Sequence, residues 1–223
     1  HGGYYEPPTT QGTVMYPMVG GGMNWGGGAF DPERNMLITP VAQIPYFVRL
    51  VPNDEIVPSD DKMAGMPMGP PDYITGADYG LHQGPLLSPQ MSPCTKPPWY
   101  KLVGVDLEQG EIVWETPLGG VDKLVPGGAM PLPLEFGTPG SGGGIATAGG
   151  LVFIGATYDE RFRAFDIETG EKLWETMTPF SANATPMTYS IDGRQYIVVS
   201  AGGHSWSPLP QGDYVMAFAL PEN

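Results

Sequence analysis

The chain has 223 residues, of which 33 are Gly and 26 Pro, more than a quarter of the whole, yet 41% are hydrophobic and five Trp, eleven Tyr and eight Phe are present. So many aromatics exclude disorder of the whole chain, and so much Gly and Pro excludes long helices. Ten Lys plus Arg against 24 Asp plus Glu, a net charge of −14, exclude nucleic acid and anionic membrane surfaces as partners, because both need a basic footprint. What remains is an all-β chain of short strands and elaborate turns. The lone Cys94 has no internal disulfide partner, and no apolar run reaches the roughly 18 residues of a membrane span. The first residue is His1 rather than Met, from which we expect that an N-terminal piece precedes this chain.

In chain order, residues 1–28 are rich in Gly, Pro and aromatics, and the glycines around Asn24 and Trp25 indicate a close backbone approach or a loop. The run AFDPERNMLITP follows, with a turn at Asp31 and Pro32 and a strand expected to stop before Pro40. Residues 46–51 (YFVRLV) read as another strand. From about 52 to 98 the chain is proline-rich, acidic and without periodicity, so we expect a long irregular insertion over one face of the domain.

After Trp99 the pattern becomes regular. Residues 101–116 read KLVGVDLEQGEIVWET and residues 161–176 read RFRAFDIETGEKLWET, an internal repeat. Asp106, Glu108, Gly110, Glu111, Trp114, Glu115 and Thr116 are matched by Asp166, Glu168, Gly170, Glu171, Trp174, Glu175 and Thr176. Physically, a strand ends in an Asp that bonds backbone two residues on, Gly supplies a positive φ, and a second strand carries a buried Trp. A Trp-bearing hairpin recurring at this distance indicates a β-propeller. Apolar runs at 150–157, 194–203 and 214–220 supply further strands, the second after a hairpin signal at Asp192 and Gly193. At roughly 40–50 residues per blade the chain makes about four blades. An open ring would leave bare edges, so the chain reads as part of something larger.

The runs GLVFIGATYDERFRAFDIETGEKLWE, ANATPMTYSIDGRQYIVVSAGGH and GDYVMAFALP resemble the C-terminal region of quinoprotein dehydrogenases, specifically the membrane-linked glucose, quinate and polyol dehydrogenases that use pyrroloquinoline quinone (PQQ). QGTVMYP, NWGGGAFDPERN and SPCTKPPWYKLVGVDLEQGEIVWE extend the likeness over nearly the whole chain. The resemblance implies that residues 1–223 are about half of an eight-bladed propeller in the periplasm. PQQ and Ca²⁺ would lie on its axis, with the Trp repeats as docking motifs between blades. It implies oxidation of a sugar, polyol or cyclic alcohol, with electrons passed to ubiquinone. It also places the general base and most metal ligands on an N-terminal half, a separate or cleaved chain that would link the assembly to the inner membrane. No catalytic residue and no metal ligand is then expected here.

The same resemblance nominates cofactor contacts at His204, Gly203, Ser141, Gly142, Asp159 and Pro40. His204, after Gly203, matches a position that faces PQQ; a His bonded in a strand-end loop is the alternative. Ser141, before Gly142, matches a position that is Trp in the methanol-type members, so an aromatic contact is absent. Asp159 matches an acidic position near the cofactor, or is a turn aspartate. Pro40 falls where many members place a PQQ-binding Asn, and proline lacks both the side-chain group and the N–H. That departure supports the rival expectation, a non-catalytic propeller subunit that binds or scaffolds a partner. No Ser-His-Asp context, phosphate loop or zinc motif is present.

Overall fold

The computed structural model describes residues 3, 5–57, 70–89, 92–123, 134–205, 207 and 209–221. Fourteen strands form among them. In chain order they are β1 (Thr13–Met15), β2 (Ala29–Asp31), β3 (Met36–Ala42), β4 (Tyr46–Pro52), β5 (Tyr79–Pro85), β6 (Tyr100–Asp106) and β7 (Glu111–Pro117). They continue as β8 (Gly144–Thr147), β9 (Leu151–Ile154), β10 (Arg161–Asp166), β11 (Lys172–Met177), β12 (Met187–Ile191), β13 (Arg194–Ala201) and β14 (Tyr214–Phe218). Among the described residues no helix is long and apolar enough to cross a membrane. The chain divides into two compact units, one of His1–Gly21 with Gln43–Lys96 and one of Gly22–Ala42 with Pro97–Asn223.

The first unit holds an antiparallel sheet of order β1-β4-β5. The stretch expected to be irregular from about 52 to 98 contains a strand, because β5 pairs with all of β4, from Tyr46↔Pro85 to Pro52↔Tyr79. Its sequence, YGLHQGP, hides the strand: glycines stand where apolar alternation would be read. At Gly80 the missing side chain admits the Asp72 carbonyl and the tip of Ile56. Residues 58–69, 90 and 91 of the expected insertion lie outside the described residues.

The second unit holds three antiparallel meanders: β2-β3-β6-β7, β8-β9-β10-β11 and the three-stranded β12-β13-β14. Four sheets thus form among the described residues, as expected of a partial propeller, one of them in the first unit. The repeated hairpins are β6–β7 and β10–β11, the third and fourth strands of two successive sheets. Each carries a register shift at the same place, between Gly104 and Val105 and between Ala164 and Phe165. Asp106 Oδ1 accepts the Glu108 and Gln109 amides at 2.8 and 3.0 Å, and Asp166 Oδ1 those of Glu168 and Thr169 at 2.9 and 2.8 Å. Gly110 and Gly170 both take φ +70°, so the turn chemistry read from the repeat is the chemistry used.

The Trp side chains behave differently from the expectation of burial. Trp114 reaches the neighbouring sheet, where its Nε1–H donates to the Ile167 carbonyl at 2.8 Å and Thr116 Oγ1 donates to the Gly170 carbonyl at 2.8 Å. Trp174 is 39% exposed and stands edge-on to Phe162 and Phe218, at 6.2 and 5.5 Å. The indole is thus a bridge between blades, and its burial depends on the sheet packed against it.

Inside the unit, alternate residues of β13 (Ile197, Val199, Ala201) join Phe162 and Ala182 in one core cluster, flanked by Ile145, Phe153, Met216 and Phe218. Asp192 and Gly193, at φ +51° and +79°, close the β12–β13 hairpin as predicted, with Ile191 paired to Arg194. One strand boundary differs. β3 does not stop before Pro40 but runs through it to Ala42, with Pro40 opposite Leu102. Since β2 reaches only Ile38, β3 has a partner on one side only at Pro40, the kind of position where a missing N–H is tolerated.

Candidate functional site

Because each meander of the second unit is antiparallel, first strands start and second strands finish at the same end of the sheet. Five segments meet there: 24–28 before β2, 139–143 before β8, 155–159 after β9, 181–185 before β12 and 202–204 after β13. Glycines let backbone touch backbone. A Cβ on Gly26 would strike the Gly143 amide, one on Gly142 the Asn183 carbonyl and one on Gly155 the Ala182 carbonyl. Hydrogen bonds lace the segments together: Ser141 N–H to Ala156 O at 3.0 Å, Ala156 N–H to Ala182 O at 2.9 Å, Tyr158 N–H to Pro139 O at 3.1 Å and Gly203 N–H to Ser181 O at 2.9 Å.

Five of the six nominated residues belong to this layer. Ser141 and Gly142 open it from the β8 side. Gly203, at φ +79°, turns the chain so that the His204 ring stacks on Tyr158, with centroids 6.1 Å apart and planes 28° apart. The Tyr158 carbonyl in turn accepts the Ser181 hydroxyl at 2.9 Å. Pro40 stands apart: it is buried in β3 beside Thr39, which lies against Gly28, and it reaches the layer only through the 24–28 loop.

Asp159, fully buried, is the hub of an ion network at the edge of the layer. Its Oδ2 accepts the Gly120 amide at 2.7 Å and Arg161 Nη1 at 3.3 Å, and Oδ1 accepts the Thr157 hydroxyl at 2.7 Å and Arg163 Nη1 at 3.3 Å. A second Arg163 contact closes the pair. Arg161 also forks onto both oxygens of Asp122 at 2.9 Å, and Arg163 Nε donates to Glu175 at 2.9 Å. Burial pushes the Asp159 carboxyl up, but the Arg163 charge and the hydrogen bonds outweigh it and hold the group below the usual carboxylate range. With both oxygens engaged, Asp159 anchors the 119–122 segment rather than presenting a free carboxylate. The two arginines of this network escaped sequence reasoning, although R-F-R in an otherwise apolar strand was a legible signal of buried pairing.

Two polar side chains of the layer have no hydrogen-bond partner among the described residues. They are Ser141 Oγ and both ends of the Asn183 carboxamide, on residues only 6% and 4% exposed. Leaving such groups unsatisfied costs about 1–3 kcal/mol each. Asn183 was not legible, since A-N-A-T-P carries no motif. The glycines let the backbone segments close on one another here, and Ser141, Asn183 and the His204 imidazole are polar groups of the layer. Among the described residues no group of three His, Cys, Asp or Glu could hold a metal ion.

The chain is 40% identical over 222 residues to the quinoprotein glucose dehydrogenase A of Acinetobacter calcoaceticus, covering 99% of this chain and 28% of that protein. It is 37% identical over 228 residues to a probable quinate dehydrogenase (quinone) of Xanthomonas campestris pv. juglandis, again covering 99% and 28%. The crystal structure of a quinohemoprotein alcohol dehydrogenase from Comamonas testosteroni superposes with TM-score 0.60 at 24% identity, over 95% of this chain and 29% of that one, a likeness of fold. The chain thus spans a little over a quarter of the relatives' length. Residues 1–197 match the family described as "Glucose/ethanol/alcohol dehydrogenase, beta-propeller domain", and the chain belongs to this PQQ-dependent dehydrogenase family.

Proposed function

We propose that this chain is one part of a periplasmic PQQ-dependent dehydrogenase that oxidises a sugar, polyol or cyclic alcohol and passes the electrons to ubiquinone. The observation that carries the reading is the convergence of Ser141, Gly142, Gly203 and His204 on one glycine-lined layer in a chain of this family. PQQ, when bound, accepts hydride from the alcohol carbon. Gly142 and Gly203 let neighbouring backbone close tightly around the site, Ser141 places a hydroxyl among them, and His204, steadied by Tyr158, supplies a ring nitrogen. The packed layer excludes water from one side of the site. The general base, the Ca²⁺ ligands that would polarise the quinone and the link to the inner membrane are assigned to the rest of the protein, so the chain alone is expected to be inactive.

The test is a PQQ titration of the whole apoprotein, followed by alcohol-dependent dye reduction. Saturable binding near one PQQ per protein with PQQ-dependent turnover supports the reading. A folded protein that binds no PQQ overturns it and leaves the non-catalytic propeller subunit, the reading that Pro40 favours.

A further inference from the structure

We infer that Tyr158 is a positioning residue, whose ring fixes the plane in which the His204 imidazole meets the cofactor. The inference rests on the function proposed above. Of the polar residues in the layer, Ser141, Asn183 and Asp159 are buried and closed to a ligand, while His204 is half-buried and within a ligand's reach. What holds the imidazole therefore decides how it meets a ring.

The turn that carries Tyr158 is kept in a costly shape. Ala156 and Glu160, at its two ends, take φ +60° and +58°, a left-handed conformation that crowds any residue with a Cβ. Such strain persists only where the surroundings over-determine it, and it gathers at functional sites. Here hydrogen bonds fix both ends: Ala156 N–H donates to Ala182 O and Thr178 N–H to Glu160 O, each at 2.9 Å. Between them Tyr158 is bonded at both backbone groups, through its N–H to Pro139 O and its carbonyl to the Ser181 hydroxyl. Its side chain lies near Tyr100, whose phenol is pushed up by burial and further by Tyr158. The ring is thus set from behind, and its face is offered to His204.

His204 is tied to that face through one fully buried residue. Ser181 gives its hydroxyl to Tyr158 O and takes the Gly203 N–H on its own carbonyl, both at 2.9 Å, which fixes the spacing at which the rings stack. Packing alone does not call for a flat partner there. An aliphatic side chain would fill the slot equally well and leave the imidazole to turn about its broad χ2 torsion.

The decisive experiment titrates PQQ into the whole apoprotein and reads the dissociation constant by fluorescence quenching. The proteins compared are wild type, Tyr158→Phe, Tyr158→Leu, His204→Leu and the double variant. We expect Tyr158→Phe to stay within about twofold of wild type because the flat face remains, and Tyr158→Leu and His204→Leu each to bind roughly fivefold or more weakly. In the double variant the loss should stay within about twofold of that in His204→Leu. A merely structural tyrosine would instead weaken binding whether or not the imidazole is present. Tyr158→Leu or His204→Leu binding as tightly as wild type overturns the inference, and so do losses that multiply in the double variant. If Tyr158→Leu fails to fold, Tyr158→Met, which fills the slot without a flat face, is judged by the same criteria. A wild type that itself binds no PQQ sinks the functional reading, a result distinct from a change confined to the variants.

Discussion

Residues 106–116 and 166–176 share seven identities, the same aspartate-capped turn and the same bulge, yet their surroundings diverge. A Cβ on Gly170 would strike the Trp114 indole, whereas among the described residues nothing lies within 4 Å of one on Gly110. The strands leading into the turns differ as well. Arg163 stands where the first repeat has Val103, and both are buried. Val103 needs only apolar neighbours, while Arg163 needs Asp159 and Glu175 to be tolerated there. Identical local sequence dictates an identical turn. What seats on the turn, and what charge lies beneath it, is decided by the neighbouring sheet.

The comparison can be broken most forcefully at the ion network. Asp159→Asn leaves Arg163 with only Glu175 as a charged partner and should cost about 3–5 kcal/mol in chemical unfolding, and a loss below 1 kcal/mol would mean the network is not shielded from water. Since the folded-state carboxyl is held low, its stabilising share is present above the ordinary carboxylate pKa near 4 and disappears as pH falls through the lower folded value. Thermal midpoints should therefore drop in acid for wild type and run flatter there for Asp159→Asn.

Next comes the glycine pair. Gly170→Ala combines a positive-φ penalty with collision against Trp114 and should cost about 3 kcal/mol, against about 1 kcal/mol for Gly110→Ala, which meets open space. Equal losses in the isolated chain would contradict the difference described above, and equal losses only in the whole protein would mean that another hairpin seats on Gly110 there. Thr116→Val removes one bond to the Gly170 carbonyl and should cost roughly 1 kcal/mol. Smallest of all, Glu168→Gln loosens a 2.9 Å pair with Arg34 at a surface position and should change stability by less than about 0.5 kcal/mol.

Much of this fold was legible because its turns are written locally. D-x-x-x-G-E dictated two hairpins, and Asp192 with Gly193 a third, since carboxylate caps and positive φ act within a few residues. The unread parts depend on distant neighbours. β5 is a strand because β4 lies beside it, not because YGLHQGP alternates. Trp174 and Trp114 share a motif but not an environment. Of the site, the glycine and histidine positions were found through family likeness, while Asn183 packs on Gly142 from a distant segment and the arginine hub reaches Gly120 and Asp122, 39 residues from Asp159 and Arg161.

The Asp192-Gly193 turn has a practical consequence. A Cβ on Gly193 meets nothing within 4 Å, and β13 runs from there without interruption to Ala201 and the Gly203 bend. At about 3.3 Å per residue, that strand is a rigid strut of roughly 23 Å between an exposed corner and the glycine-lined layer. A dye or short peptide tag attached at the corner would ride on the same strand as the layer without touching it. The hairpin thus offers a fixed outside vantage from which the arrival of a light-absorbing quinone could be watched by energy transfer.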